Sequence, residues 1–123
     1  QSMQAALDWS YQRLTEQEQR VLQRLSVFKR VFTLEAAQRV IICPMLSASQ
    51  LAAIIERLVH TSLLAVEQDA GAGRYRMLNT TRRYAREQLE RSGEGIELER
   101  RHARFISRVR HASGEHGIAQ FVE

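Results

Sequence analysis

The sequence predicts a mainly α-helical domain with one small β-hairpin, followed by additional C-terminal helices. Three observations lead there. Apolar residues recur at helical spacing through most of the N-terminal half. The glycine-rich stretch Gln68-Asp69-Ala70-Gly71-Ala72-Gly73 separates two short runs that suit strands. Immediately after it, Arg74-Tyr75-Arg76-Met77-Leu78-Asn79-Thr80-Thr81-Arg82-Arg83-Tyr84-Ala85 reads as a strand running straight into a helix.

In Ala5–Leu14, Leu7, Tyr11 and Leu14 fall at i, i+4 and i+7, which predicts a short amphipathic helix. Thr15-Glu16-Gln17-Glu18 has the form of a capping box, a hydroxyl followed three residues later by a carboxylate. It opens a second helix with Val21, Leu22, Leu25 and Phe28 on one stripe. Thr33 suits the cap of a third helix, with Leu34, Ala37, Val40 and Ile41 turned inward. Pro44 ends that pattern, and Cys43 before it is biased away from helical dihedrals.

Ser47 or Ser49 starts a fourth helix, in which Leu51, Ile54, Ile55, Leu58 and Val59 form a broad apolar face. Ser62–Glu67 and Arg74–Leu78 are the expected strands, with Gly71 and Gly73 free to take positive φ in the turn between them. Leu78 is expected to fill the core under the sheet, and Asn79 to cap a fifth helix that Ser92-Gly93-Glu94-Gly95 stops. Residues 96–112 form a separate Arg/Glu-rich helix, whose Leu98, Phe105, Ile106 and Val109 make a stripe that nothing further in the chain obviously covers. Ile118–Val122 could begin another. Helices followed by a β-hairpin are the order of a winged helix, a helix-turn-helix variant closed by a two-stranded wing.

A chain of 123 residues holds one ordinary domain and the start of another. Residues 1–3 resemble vector-derived residues, 4–92 form the winged helix and 95–123 start a helical, repeat-like region. The chain has no apolar run long enough to span a bilayer, so no membrane partner is expected. The single Cys43 cannot form an internal disulfide, and a cytoplasmic setting is the expectation.

The formal charge of +4 is uneven. Residues 1–72 carry seven basic and seven acidic side chains, whereas residues 73–123 carry eleven Arg and seven Glu. Such an excess points to nucleic acid or to an acidic partner, but Arg interleaved with Glu at helical spacing also describes a solvated helix face. Catalytic signals are missing: the sequence has no phosphate-binding glycine loop and no His/Cys set at metal-ligand spacing. Neither an enzyme nor a resident metal is expected.

A winged helix would read DNA through Ser47–His60. That helix offers only Gln50, Glu56 and Arg57 among small and apolar residues, which suits packing against protein better than a major groove. Gln50, Ala53, Arg57, Phe105 and Val109 are the candidate packing surface. Arg74, Arg76, Arg82 and Arg83 are the candidate DNA or phosphate contacts. Self-association through the exposed stripe of helix 96–112 is a third expectation.

Several segments together resemble one family. They are Leu7-Asp8-Trp9-Ser10-Tyr11, Arg20–Phe28, Phe32-Thr33-Leu34-Glu35-Ala36-Ala37, Leu58–Leu64 and Tyr75–Ala85, with Arg100-Arg101-His102-Ala103 and Phe105 beyond. The first five are similar to the winged-helix region that follows the nucleotide-binding domain of bacterial STAND (NB-ARC, AP-ATPase-like) signal-transduction ATPases, and residues 96–112 resemble the start of the helical-repeat region that follows it in that family. The subgroup they resemble most is that of the predicted-ATPase transcriptional regulators. The resemblance implies a regulatory module that switches against the nucleotide-binding and helical-repeat domains of its own chain. It further implies ATP or ADP bound elsewhere in the parent, no cofactor on this segment, and DNA reached through the parent protein. In that family a Met-His-Asp motif senses nucleotide at the strand end. Its positions fall on Met77, Leu78 and Asn79; Leu78 cannot donate to a phosphate and Asn79 lacks the carboxylate.

Overall fold

A computed structural model describes residues 2–41, 44, 46–67 and 73–113. The elements are α1 (Met3–Gln12), α2 (Glu16–Leu25), β1 (Phe32–Thr33), α3 (Leu34–Ile41), α4 (Ala48–His60), β2 (Ala65–Val66), β3 (Arg74–Arg76), α5 (Asn79–Ser92) and α6 (Gly95–Ser113). The strands form one antiparallel sheet in the order β1-β3-β2. From α2 to β3 this is the helix, strand, helix, helix, strand, wing, strand order of a winged helix-turn-helix.

The N-terminal helices are set by their caps and stripes. Ser2 caps α1, its side chain accepting from the Ala5 amide at 3.0 Å, and the helix begins at Met3. Thr15 and Glu18 close the expected capping box reciprocally, at 3.1 and 3.0 Å. Ser47 and Gln50 close a second one at α4. Leu7, Tyr11, Leu14, Val21, Leu22, Leu25 and Phe28 are buried, as their spacing predicts.

The sheet differs from the two-stranded reading. Thr33 does cap α3, its hydroxyl accepting from the Ala36 amide at 3.0 Å. It is also a strand residue, pairing with Arg74 while Phe32 pairs with Tyr75. This third strand is too short to show a period-2 pattern, although its aromatic and β-branched residues favour it. Ser62–Leu64 is not strand: Ser62 takes φ +68°, and the Leu63 and Leu64 amides both return to the Leu58 carbonyl to finish α4. Gly73 takes φ +84° as expected in the turn. Gly71 and Cys43 lie outside the described residues, as do His116 and Ile118–Val122.

Two further expectations are corrected. Leu78 does not fill the core; it is 51% exposed, because Met77 turns inward and the next side chain must turn out. Asn79 does not cap α5 but is its first residue; the cap position is Leu78, with no side-chain hydrogen bond. Gly93 ends α5 in the left-handed region, φ +86°.

The apolar stripe of α6 is covered after all. Leu98 and Phe105 are buried, Ile106 and Val109 pack against the core, and the His102 ring meets Phe28 edge-on at 5.1 Å. The stripe seats on α3, with α5 beside it. Polar contacts lock the same junction. Arg24 of α2 donates through Nε and Nη2 to both oxygens of Glu94 (3.0 and 2.8 Å) and through Nη1 to the Ile41 carbonyl (2.8 Å). Arg101 of α6 donates to that same carbonyl at 3.0 Å. Two guanidiniums therefore satisfy the open C-terminal end of α3. As far as Val109, α6 packs against the same core as the preceding helices.

Candidate functional site

α4 is the helix that a winged helix would present to a partner. Its exposed positions are Ala48, Ser49, Gln50, Ala53, Glu56, Arg57 and His60. Gln50 is occupied by its capping box, its side-chain oxygen accepting from the Ser47 amide at 2.8 Å. Arg57 is occupied too. Its Nε lies 2.9 Å from Oε2 of Glu18, a carboxylate only 6% exposed, whose other oxygen holds the α2 capping box. Around Ala53, Glu56, Arg57, His60 and Thr61 the surface is an open groove of about 530 Å³. The helix thus offers small residues (Ala48, Ser49, Ala53), one carboxylate, one imidazole at His60 and one compensated guanidinium.

Wing and junction residues are spread out. Arg74 and Arg76 share one face of β3, two residues apart. Arg76 is paired to Glu67 at 3.2 Å across the sheet, and Arg74 has no carboxylate partner among the described residues. In α5, Arg82 is half-buried with an Nε that lacks a hydrogen-bond partner, while Arg83 is exposed. Met77 is buried, and Leu78 and Asn79 face outward at an uncapped helix start. Of the two α6 residues expected on a packing surface, Phe105 is buried and Val109 half-buried, so neither is available as expected.

Each perturbed titration traces to burial or to a named hydrogen-bond or charge partner. Burial, then the 2.5 Å hydrogen bond it donates to Asp8, pushes the Tyr84 phenol above its ordinary value and ties α5 to α1. The Arg24 hydrogen bond holds the Glu94 carboxyl below the ordinary glutamate value. Arg101 does the same for the exposed Glu97, and Glu99 raises Arg86. Among the described residues no group of three His, Cys, Asp or Glu side chains could hold a metal, and no helix is long and apolar enough to cross a membrane.

Residues 14–90, which run from the end of α1 through α5, match the family described as "Winged helix-turn-helix domain". The chain belongs to the winged helix-turn-helix domain family. Its relatives include a Mycobacterium tuberculosis protein named "Putative HTH-type transcriptional regulator", 39% identical over 94 residues. That match covers 76% of this chain and 11% of the relative. A Mycobacterium bovis protein of the same name matches equally. A second M. tuberculosis protein, named only as uncharacterised, is 32% identical over 119 residues, 93% of this chain and 30% of that protein. This winged helix therefore spans between about a tenth and a third of the curated relatives it matches. No solved structure matches it.

Two features of the winged helix escaped the sequence reading. The Glu18–Arg57 pair joins residues far apart in the chain, and no local pattern announces it. The second is a cleft between α3 and α6 lined by Arg39, Arg101, Arg104, Phe105 and Arg108. A signal for it was present: positions 101, 104 and 108 recur at i, i+3 and i+7, and no acidic residue follows Glu99 before residue 115.

Proposed function

We propose that this winged helix is a non-catalytic regulatory module of a larger transcriptional regulator of the STAND ATPase type. It acts by packing against the nucleotide-binding and helical-repeat domains of its own chain in one nucleotide state and leaving them in another. ATP or ADP would be held by the parent's nucleotide-binding domain and not by this module. The observation that carries the reading is the Glu18–Arg57 pair: the one Arg on the exposed face of α4 is already neutralised by a buried carboxylate. What remains outward is small residues with Gln50, Glu56 and His60, which suits protein packing better than a groove, since groove binding needs several uncompensated cations. The exposed Leu78, at the family's sensing position, supplies a second apolar contact point. A switch of this kind needs contacts that differ between its states, and both surfaces are free to make them.

Two measurements test the reading. Calorimetry of the 123-residue chain with ATP and with ADP should show no binding beyond that of inorganic phosphate, and a micromolar affinity specific to the nucleotide would overturn the division of labour. In the full-length regulator, Ala53→Asp and Leu78→Asp should each accelerate ADP release by weakening the packed state; unchanged release from both would sink the switch.

A second reading, DNA binding through the wing, is favoured by Arg74 and the exposed Arg83, which lack carboxylate partners among the described residues. The transcriptional-regulator names of the relatives point the same way. It expects salt-sensitive duplex binding that weakens when Arg74 and Arg76 become Ala. A gel shift at low salt with no retarded band removes it.

A further inference from the structure

We propose that the α3–α6 cleft is an anion site for a phosphate group. Four guanidiniums line it, Arg39 from α3 and Arg101, Arg104 and Arg108 from α6, with no carboxylate in the lining. The buried Phe105 ring supplies the apolar wall. The three α6 arginines sit at i, i+3 and i+7, which places them along one stripe facing α3. The cavity is small, about 60 Å³, the size of one compact anion rather than an extended side chain.

Charge within the cleft decides what kind of anion fits. Arg39 is partly compensated by Glu35 at 3.4 Å, and Arg101 by Glu97 at 3.1 Å. Arg104 and Arg108 have no carboxylate partner among the described residues, and the acidic side chains of α6 all lie in its first turns. Two positive charges are left uncompensated, matching a dianionic phosphate in the cleft, or one backbone phosphodiester there with its neighbour at the exposed rim. Arg101 is pre-positioned by its bonds to Glu97 and to the Ile41 carbonyl, so little ordering is needed. Guanidinium forks match the several oxygens of a phosphate, whereas a single carboxylate would leave most of these donors unmatched. This contrasts with Arg86 of α5, held by Glu90 and Glu99, and with Arg100 of α6, held by Glu97.

The source of the phosphate is either a free phosphate compound or a nucleic-acid backbone, and the experiment separates them. Thermal unfolding is followed at constant ionic strength with inorganic phosphate replacing chloride. In parallel, a fluorescein-labelled 20-base-pair duplex is titrated by anisotropy at several salt concentrations. Both are repeated with Arg104→Glu/Arg108→Glu, two exposed positions whose fold is checked by circular dichroism, and with Arg74→Ala/Arg83→Glu as control.

Phosphate-specific stabilisation lost in the Arg104/Arg108 variant, with no duplex binding, assigns a free phosphate compound. Duplex binding that weakens about tenfold or more in that variant, with a log–log salt slope smaller by about 2, assigns a backbone. The proposal is overturned if neither ligand binds, or if binding follows Arg74 and Arg83 instead. It is equally overturned if an acidic peptide of matched charge competes as well as phosphate does.

Discussion

The carboxylate of Glu18 serves two helices at once: Oε1 accepts from the Thr15 amide at 3.0 Å, and Oε2 meets Nε of Arg57 at 2.9 Å. One buried acid thus starts α2 and neutralises the exposed face of α4. Glu18→Ala is expected to destabilise the domain by about 1–2 kcal/mol through the lost cap and pair. Arg57→Ala should cost less, under about 1 kcal/mol, because the guanidinium is largely in water. Urea unfolding of both single variants and the double variant checks this. Strict additivity would show that the two groups are not coupled.

Removing α6 packing should be far more damaging. Leu98 is fully buried, so Leu98→Ala is expected to cost about 2–5 kcal/mol. A chain ending at Ser92 also loses Glu94, and with it the bidentate partner of Arg24. Such a chain should show no cooperative thermal transition by circular dichroism. A cooperative transition near that of the full chain would return α6 to a separate unit.

Acid should weaken the same junction. Glu94 has a folded-state value depressed below the ordinary one, chiefly by the Arg24 hydrogen bond. A depressed acid contributes stability above the unfolded glutamate value, about 4.3, and loses it as pH falls through the folded value. Unfolding free energy measured from pH 6 down to pH 3 should therefore fall, and Glu94→Gln should be less stable at pH 6 with a shallower decline. Parallel curves for the two proteins would contradict the assignment.

Gly93 tests backbone geometry alone. Its φ of +86° is unfavourable for any residue with a Cβ, yet an added methyl would meet no atom within 4 Å. Gly93→Ala should cost about 1 kcal/mol, all of it conformational. A loss well above that, read from the denaturation midpoint, would mean that α6 shifts as well.

Local signals were legible in the sequence and distant ones were not. Both capping-box residues of α2, the start of α4 at one of two serines (Ser47 is the cap), the stop at Gly93 and the inward stripes of α2, α3 and α4 follow from spacing and hydrogen-bonding chemistry within a few residues. β1 was missed because two residues cannot display a period and its partner lies beyond α4. Leu78 was misplaced because hydrophobicity alone does not say which face of the pleat a strand end presents. The α6 stripe looked uncovered for the same reason: the surface it seats on is α3, some 60 residues earlier. At the candidate sites, residue types could be named in advance, but whether a charge was already neutralised could not.

The sheet order β1-β3-β2 has a consequence for how the molecule comes into being. As the chain emerges during synthesis, Phe32 has no ladder partner until Tyr75 follows it, and Arg24 waits 70 residues for Glu94. A nascent chain halted after α4 can hold helices but no closed sheet and no locked junction. Because contacts distant in sequence are slow to close, the fold is completed from its far end, and α6 is the segment whose arrival finishes it.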